Sequence, residues 1–408
     1  MSLFSQLNHR SDEVSLVFDI ASGTVGGAIV KFSKGQPAHI LYTCRELILF
    51  KTKPTAQSML SEITKRLAEV ARRLSTEGIK HVNTLGQVGS NINHIYYLFS
   101  SPWVVSHTKV ITVRKDDEFR VTKREINQLV HAEEEEYVAS LTLVKDDSRV
   151  NSNSKIIEHA QIAMKVNGYE TSRPYGKMAR TVSIPFFMSI IDEPALDTIE
   201  HTVAKYFNFR KGSSHSFSLA LYTALRDIFS SDDDFLAVDV NGELTDIMLI
   251  KNGILTETSS FPLGINSIIR HVANALKSTP EVAESLIQIY MNNKAEPTAE
   301  KKIATILAGI HDEWVDNFER AFTDLNPDVV MPKKLFLIVN NNLSNFFGGF
   351  LKNERFKHIV IPGDTFGVTL LDAPKMNTYC TISTDTSPDS FLMLQSIALN
   401  SLIHKHQV

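Results

Sequence analysis

The sequence predicts a mixed α/β protein built from two related lobes, with a small α+β subdomain inserted into the first lobe. The chain has 408 residues, more than one hydrophobic core usually supports. A strand that ends in aspartate and turns back into a second strand occurs twice, about half a chain length apart. One repeat at this spacing indicates a duplicated lobe, because a solenoid needs several short repeats.

The composition is that of a soluble protein of the reducing cytosol. Apolar residues make up 43% and charged residues 22% of the chain, which excludes disordered and collagen-like classes. The net charge of -4 and the lack of a long basic tract exclude electrostatic capture of nucleic acid. Cys44 and Cys380 cannot form a disulfide framework or a zinc site by themselves. No apolar run approaches the ~20 residues of a membrane span.

The first lobe opens with an apolar, β-branched strand at 14–20, a turn at 21–24 and a second strand at 27–32. A helix follows Pro54 and Thr55, because apolar residues then recur at helical spacing as far as Leu74. Gly78 is predicted to end this helix.

The region from about 100 to 185 mixes strand-like segments, such as 109–113 and 154–166, with one helix. Thr122 and Glu125 form a capping-box pattern at the start of that helix. We therefore expect an inserted α+β subdomain.

The opening pattern returns at 235–240, a strand that contains Asp239 and leads through a turn at 241–244 into a strand at 245–250. Helices are predicted near 265–276, 280–291 and 298–322, and a late strand at 334–339 precedes three asparagines. The predicted organisation is a first lobe at 12–100 and 188–230, the insertion at 101–187, a second lobe at 231–389, and at 390–408 a terminal helix that packs on the first lobe.

Both hairpins have the ingredients of a phosphate-binding turn. Such a turn needs backbone N–H groups that face the anion, small residues that let the chain approach it, and a carboxylate near hydrated magnesium. Asp19 and Asp239 are expected to face each other across an interlobe cleft and to hold Mg²⁺ through water. Either hairpin alone is weak evidence, because a strand, an aspartate and a glycine turn also make ordinary hairpins.

The chain resembles the FtsA/PilM family of actin-like ATPases over nearly its whole length. The resemblance rests on the motifs at 19–25 and 239–247, with support from 261–266, 336–339 and the inserted subdomain. It implies the duplicated actin-like, ribonuclease H-like fold and a site for ATP and Mg²⁺. The implied nucleotide-binding residues are Asp19, Ser22, Gly23, Thr24, Asp239, Gly242, Thr245, Asp246, Gly264, Asn340 and Asn341.

The chain departs from the family pattern at three places. Ala21 and Gly26 stand where the first motif usually has glycine and lysine, and Glu243 enlarges the second turn. The asparagines at 340–342 replace the pair of glycines beside adenosine. A Glu243 side chain that pointed inward would repel a triphosphate. We therefore expect a degenerate ATP site with at most weak hydrolysis, and no catalytic residue can be assigned.

The resemblance implies a cytoplasmic scaffold of type IV pilus assembly or cell division. It would bind a cytoplasmic segment of a pilus-assembly or division membrane protein, associate with copies of itself, and lie at the inner face of the membrane through these partners. Two alternatives stay open from the sequence: a small-molecule kinase of the same fold, and an adaptor that binds no nucleotide.

Overall fold

The computed structural model describes residues 12–86, 92–143, 153–161, 164–171, 173–207, 212–325, 331–339, 343–360 and 364–405. The predicted site residues Asn340 and Asn341 lie outside these ranges. The described strands are β1 (Asp12–Ile20), β2 (Thr24–Ser33), β3 (Ala38–Leu47), β4 (His94–Phe99), β5 (Val104–Arg120), β6 (Ser154–Gln161), β7 (Lys165–Val166), β8 (Tyr169–Glu170), β9 (Met178–Asp192), β10 (Ser213–Ser216), β11 (Phe235–Val240), β12 (Thr245–Lys251), β13 (Ile254–Phe261), β14 (Lys334–Val339), β15 (Gly367–Leu370) and β16 (Cys380–Ile382).

The described α-helices alternate with these strands. They are α1 (Ala56–Arg73), α2 (Ile79–Thr84), α3 (Lys123–Leu143), α4 (Glu193–Ala204), α5 (Phe217–Ile228), α6 (Ile265–Leu276), α7 (Pro280–Met291), α8 (Pro297–Leu325), α9 (Ser344–Leu351), α10 (Ala373–Met376) and α11 (Ser390–Lys405). A π-helical turn (Leu74–Gly78) joins α1 to α2, and a 3₁₀ turn (Glu354–His358) follows α9.

The two main sheets repeat one topology. The first has the strand order β10-β4-β1-β2-β3-β16 and the second the order β13-β12-β11-β14-β15. In each lobe the opening strand pairs antiparallel with the next strand along the chain and parallel with a later one. Both hairpins, β1–β2 and β11–β12, are therefore central in their sheets, with a parallel strand, β4 or β14, beside the opening strand.

A single core fills the space between the two sheets. It contains buried side chains of both sheets together with those of α5 and α11. The run from Leu392 to Leu399 in α11 is buried at every position, which is the pattern of a helix surrounded by protein. The last helix is therefore an internal part of the two-lobed core, in contact with α5 and with β1, β2 and β3.

Each outer face has its own core. The first sheet buries its other face against α1 and α4, and the second against α6, α7, α8 and α9. The inserted subdomain is a sheet of order β5-β9-β7-β8, with β6 also paired to β9, and α3 packs on it around Ile126 and Val130. The Glu125 N–H donates to Thr122 Oγ1 over 3.2 Å, so the predicted helix start is confirmed.

The prediction that Gly78 ends the first helix is wrong. Gly78 has right-handed helical angles (φ −62°, ψ −50°), and the chain continues through the π-helical turn into α2. A Cβ at this position would lie 2.9 Å from Ile29 and 3.0 Å from Tyr42, so the glycine permits close packing. Among the described residues, no helix combines the length and the apolarity that a membrane-spanning segment needs.

Candidate functional site

The two aspartate-bearing turns meet between the lobes. Asp19 is the next-to-last residue of β1 and Asp239 that of β11, and each carboxylate is almost completely buried, at 1% exposure. The first turn is closed by the Ala21 N–H, which donates to Thr24 O over 3.1 Å. The second is closed by the Asn241 N–H, which donates to Leu244 O over 2.9 Å. Each aspartate therefore lies directly before a closed turn.

Arg45 on β3 provides the cation that faces Asp19. Its Nη1 atom lies 2.7 Å from Asp19 Oδ2, and its Nε and Nη2 atoms donate to both carboxylate oxygens of Asp389, over 2.7 and 3.0 Å. Arg45 also donates to Thr24 Oγ1 over 2.7 Å. The remaining Asp19 oxygen accepts a hydrogen bond of 2.6 Å from Gln395 Nε2 on α11. Asp19 thus has an ion-pair partner on β3 and an amide hydrogen-bond donor on α11.

Asp239 has a poorer set of partners. Its Oδ2 accepts a hydrogen bond of 2.7 Å from Asn241 Nδ2, while its buried Oδ1 has no hydrogen-bond partner among the described residues. Burial raises the pKa of the Asp239 carboxyl well above its usual range, and the negative charges of Asp246 and Asp19 raise it further. Burial also raises the pKa of Asp19, but there the Arg45 guanidinium opposes the rise.

The charge of Glu243 is neutralised within the second lobe. Arg270 on α6 holds it through two parallel hydrogen bonds, from Nη1 to Oε1 over 2.8 Å and from Nη2 to Oε2 over 2.7 Å. Arg270 also donates to Ser267 Oγ over 3.1 Å. The repulsion expected from an inward Glu243 therefore does not arise, because this bidentate pair occupies the carboxylate.

The turns touch each other directly. A Cβ added to Gly23 would lie 2.6 Å from Gly242 Cα, and one added to Gly242 would lie 2.3 Å from Gly23 Cα. The Glu243 N–H donates to Ser22 Oγ over 2.9 Å, and Asn266 Nδ2 donates to Ile48 O over 3.1 Å. We call these contacts, made by Ser22, Gly23, Ile48, Gly242, Glu243 and Asn266, the hairpin joint.

The other predicted residues of the second lobe serve its internal packing. Thr245 Oγ1 donates to Leu263 O over 2.8 Å and accepts from Trp314 Nε1 over 3.3 Å. Asp246 is the cross-strand partner of Asp239. A Cβ at Gly264 would lie 2.3 Å from Asn241 O, so glycine lets α6 begin against the second turn. A direct role of these residues in nucleotide binding stays a prediction.

The residues as placed do not fit a triphosphate with hydrated magnesium. The neighbour of Asp19 is already a guanidinium, and the Glu243 N–H already has an acceptor. The cavity beside the hairpin joint, bordered by Thr24, Val339 and Phe391, has a volume of about 180 Å³, whereas small-molecule pockets usually exceed ~300 Å³. Within the described residues, no group of three or more His, Cys, Asp or Glu side chains is arranged to hold a metal.

A much larger depression of about 980 Å³ lies between the lobes and adjoins the hairpin joint, because Glu243 and Arg270 are part of its lining, and we call it the interlobe groove. Its lining combines apolar side chains with polar and charged ones, and the exposed Lys51 and Lys53 are among the charged residues. Its first-lobe wall includes Pro54, Met59, Leu60, Pro102 and Trp103, and its second-lobe wall includes Leu244, Pro262, Leu263, His271 and Glu313.

Sequence reasoning missed Arg45, Asp389, Gln395 and Asn266 as members of the site. One signal was available for Arg45, since the register of β2 and β3 places it opposite Gly26, where the family has lysine. A Cβ on Gly26 would lie 2.6 Å from Arg45 Nη2, so the small residue and the neighbouring arginine require each other. The contribution of α11 had no such local signal.

No family model and no curated protein matches this chain. A solved chain of the PilM–PilN type IV pilus biogenesis complex is similar, with a TM-score of 0.55 and 12% identity, over 95% of this chain and 96% of that one. The ethanolamine utilization protein EutJ from Carboxydothermus hydrogenoformans has a TM-score of 0.45 and 11% identity, over 96% of this chain and 90% of its own. A Bacteroides thetaiotaomicron protein of unknown function with an actin-like ATPase fold has a TM-score of 0.44 and 9% identity, over 95% and 96%. The first of these matches confirms the predicted actin-like fold.

Proposed function

We propose that this chain is a cytoplasmic actin-like scaffold that binds a cytoplasmic segment of a membrane protein in a pilus-type assembly. The observation that carries the proposal is the contrast between a closed hairpin joint and an open groove of about 980 Å³. A kinase or ATPase needs its space where the two turns meet, and the cavity there measures about 180 Å³, whereas the larger groove extends from Glu243 along α1 and α6. The fold match to a chain of the PilM–PilN complex favours pilus assembly over cell division.

The interlobe groove suits an extended segment with apolar and acidic residues. Leu60, Trp103 and Leu263 can cover apolar side chains, while the exposed amines of Lys51 and Lys53 can pair with carboxylates at the border. A partner anchored in the membrane would place the scaffold at the inner face of that membrane. Self-association of the chain is part of the proposal, as an additional contact outside the groove.

The groove can be tested with labelled peptides that cover the cytoplasmic segments of the membrane proteins encoded by neighbouring genes. We expect one peptide to bind the full chain, and the double variant Lys51→Glu/Lys53→Glu to bind it about tenfold more weakly, since each lost charge pair contributes about 0.5–1 kcal/mol. The readout is fluorescence anisotropy at two salt concentrations.

Lys80→Glu is the matched control, because it reverses an exposed charge on the first lobe outside the groove. It should leave the affinity unchanged. If Lys80→Glu weakens peptide binding as much as the double variant does, the loss of affinity reflects the net charge of the chain and not a contact in the groove. Failure of every peptide to bind would contradict the proposed function.

A further inference from the structure

The hairpin joint and the neighbouring Arg45 supply chemical substitutes for a phosphate oxygen and for a metal ion between the two turns. A phosphate oxygen would accept hydrogen bonds from the backbone N–H groups of a turn. Here the acceptor on the Glu243 N–H is the Ser22 hydroxyl of the opposite lobe, over 2.9 Å. Ser22 is completely buried, so this bond is shielded from water.

The cation is also replaced. A divalent ion at a phosphate site offsets the charge of the strand-end carboxylate. At Asp19 this is done by Arg45, whose Nη1 lies 2.7 Å from the carboxylate. Arg45 is fixed in turn by both oxygens of Asp389, the residue before α11, whose Oδ1 also accepts the Leu392 N–H.

The remaining space between the turns is filled by backbone. Because Gly23 and Gly242 pack against each other without side chains, a phosphate can enter only if the lobes separate at this point. The Asn266 side chain opposes separation by its hydrogen bond of 3.1 Å to Ile48 O.

We propose that the chain closes its own interlobe site, with the Ser22 hydroxyl in place of a phosphate oxygen and the Arg45 guanidinium in place of the metal ion. The two lobes are then held in one orientation without nucleotide. This inference is independent of what binds in the interlobe groove, so a failed peptide experiment leaves it standing.

The first test is thermal unfolding and amide hydrogen exchange of the intact chain with and without ATP–Mg²⁺. We expect no change in the unfolding midpoint and no added protection of the Glu243 amide. A nucleotide present at about a hundred times its dissociation constant would raise the midpoint by several degrees. Such a rise, with new protection at residues 22–24 and 241–243, would overturn the proposal.

The second test is Ser22→Ala, which removes the acceptor from the Glu243 N–H. Exchange of this amide should accelerate about five- to tenfold, the ratio that corresponds to one net hydrogen bond. Ser189→Ala is the matched control, because Ser189 is equally buried but pairs with Ser106 inside the inserted sheet. If the Glu243 amide exchanges at the same rate in Ser22→Ala as in Ser189→Ala, the Ser22 hydroxyl does not close the joint.

Discussion

The two hairpins have the same backbone topology, but their buried aspartates have different partners. In the first, Asp19 is held by Arg45 and Gln395, which come from β3 and α11. In the second, Asp239 has one amide partner, Asn241, two positions away. The duplicated strands and turns are set by local sequence, whereas the electrostatics of each turn depends on which later elements pack beside it.

The buried charges near the two turns form two separate ion-pair systems, one in each lobe. In the first lobe the charge lies at the end of the strand, on Asp19, and is balanced by Arg45. In the second lobe the balanced charge lies within the turn, on Glu243, and its partner is Arg270. Among the described residues no cation pairs with the buried Asp239 carboxyl, and burial and neighbouring carboxylates favour its neutral form.

The largest effect is expected from breaking the second charge system with Arg270→Met. The side chains of Arg270 and Glu243 are only 10% and 8% exposed, so the variant leaves a buried carboxylate without a partner. Such a loss costs about 3–5 kcal/mol of folding free energy. Urea unfolding of the intact chain measures it.

Two companion variants sharpen this prediction. Arg270→Met/Glu243→Leu removes both charges and should recover most of the lost stability, because an apolar pair can replace a buried ion pair. Arg72→Met breaks the exposed pair with Glu69, where the two side chains are 46% and 41% exposed, and should leave the urea midpoint almost unchanged. Equal costs for Arg270→Met and Arg72→Met would show that the Glu243 pair is not buried as described.

Gly242→Ala tests the contact between the two hairpins themselves. The added methyl group would lie 2.3 Å from Gly23 Cα, and because that neighbour is backbone, the lobes must shift. We expect a loss of about 1–3 kcal/mol, the usual cost of overpacking. The measurement is again urea unfolding.

Gly348→Ala in α9 is the control of opposite sign. No atom lies within 4 Å of the added Cβ, and alanine in place of a helical glycine stabilises by about 0.5–1 kcal/mol. If Gly242→Ala is as well tolerated as Gly348→Ala, the turns do not meet in solution.

The elements of the fold were predictable because their signals are local. The predicted helix at 280–291 and the strand at 334–339 have the bounds of α7 and β14. Gly78 was misjudged because its reason is tertiary: it makes room for Ile29 and Tyr42, which no helix-end rule detects. Local patterns thus predict the elements well, and they fail where a contact with a residue distant in sequence determines the residue type.

The site was predictable only in part, for the same reason. The positions of Asp19 and Asp239 follow from two recurring strand-turn patterns. The partners of Asp19 do not, since Gln395 is 376 positions away along the chain, and Asp389 is 344 positions from Arg45. Whether a turn of this kind faces a phosphate or a neighbouring turn is decided by such long-range contacts, which leave no periodic trace in one sequence.

Asp239→Asn and Asp389→Asn should change the pH dependence of stability in opposite directions, which distinguishes the two hairpins by sign rather than by size. The folded-state pKa of Asp239 is raised, so its contribution to stability is complete below about pH 3.9 and is lost as pH rises through the folded value. Asparagine cannot ionise, so Asp239→Asn should be increasingly stable relative to the parent as pH rises.

Asp389 provides the opposite case. Although burial alone would raise its pKa, Arg45 and two backbone N–H groups lower it below the ordinary value. Its contribution is therefore present above about pH 3.9 and is lost as pH falls through the folded value, so Asp389→Asn should cost most near neutral pH, about 1–3 kcal/mol. Unfolding measured from about pH 2 to pH 9 covers both windows, the Asp389 slope below about pH 3.9 and the Asp239 slope above it. If the stability difference from the parent changes with pH in the same direction for both variants, Asp239 has a cationic partner and the two hairpins do not differ in this respect.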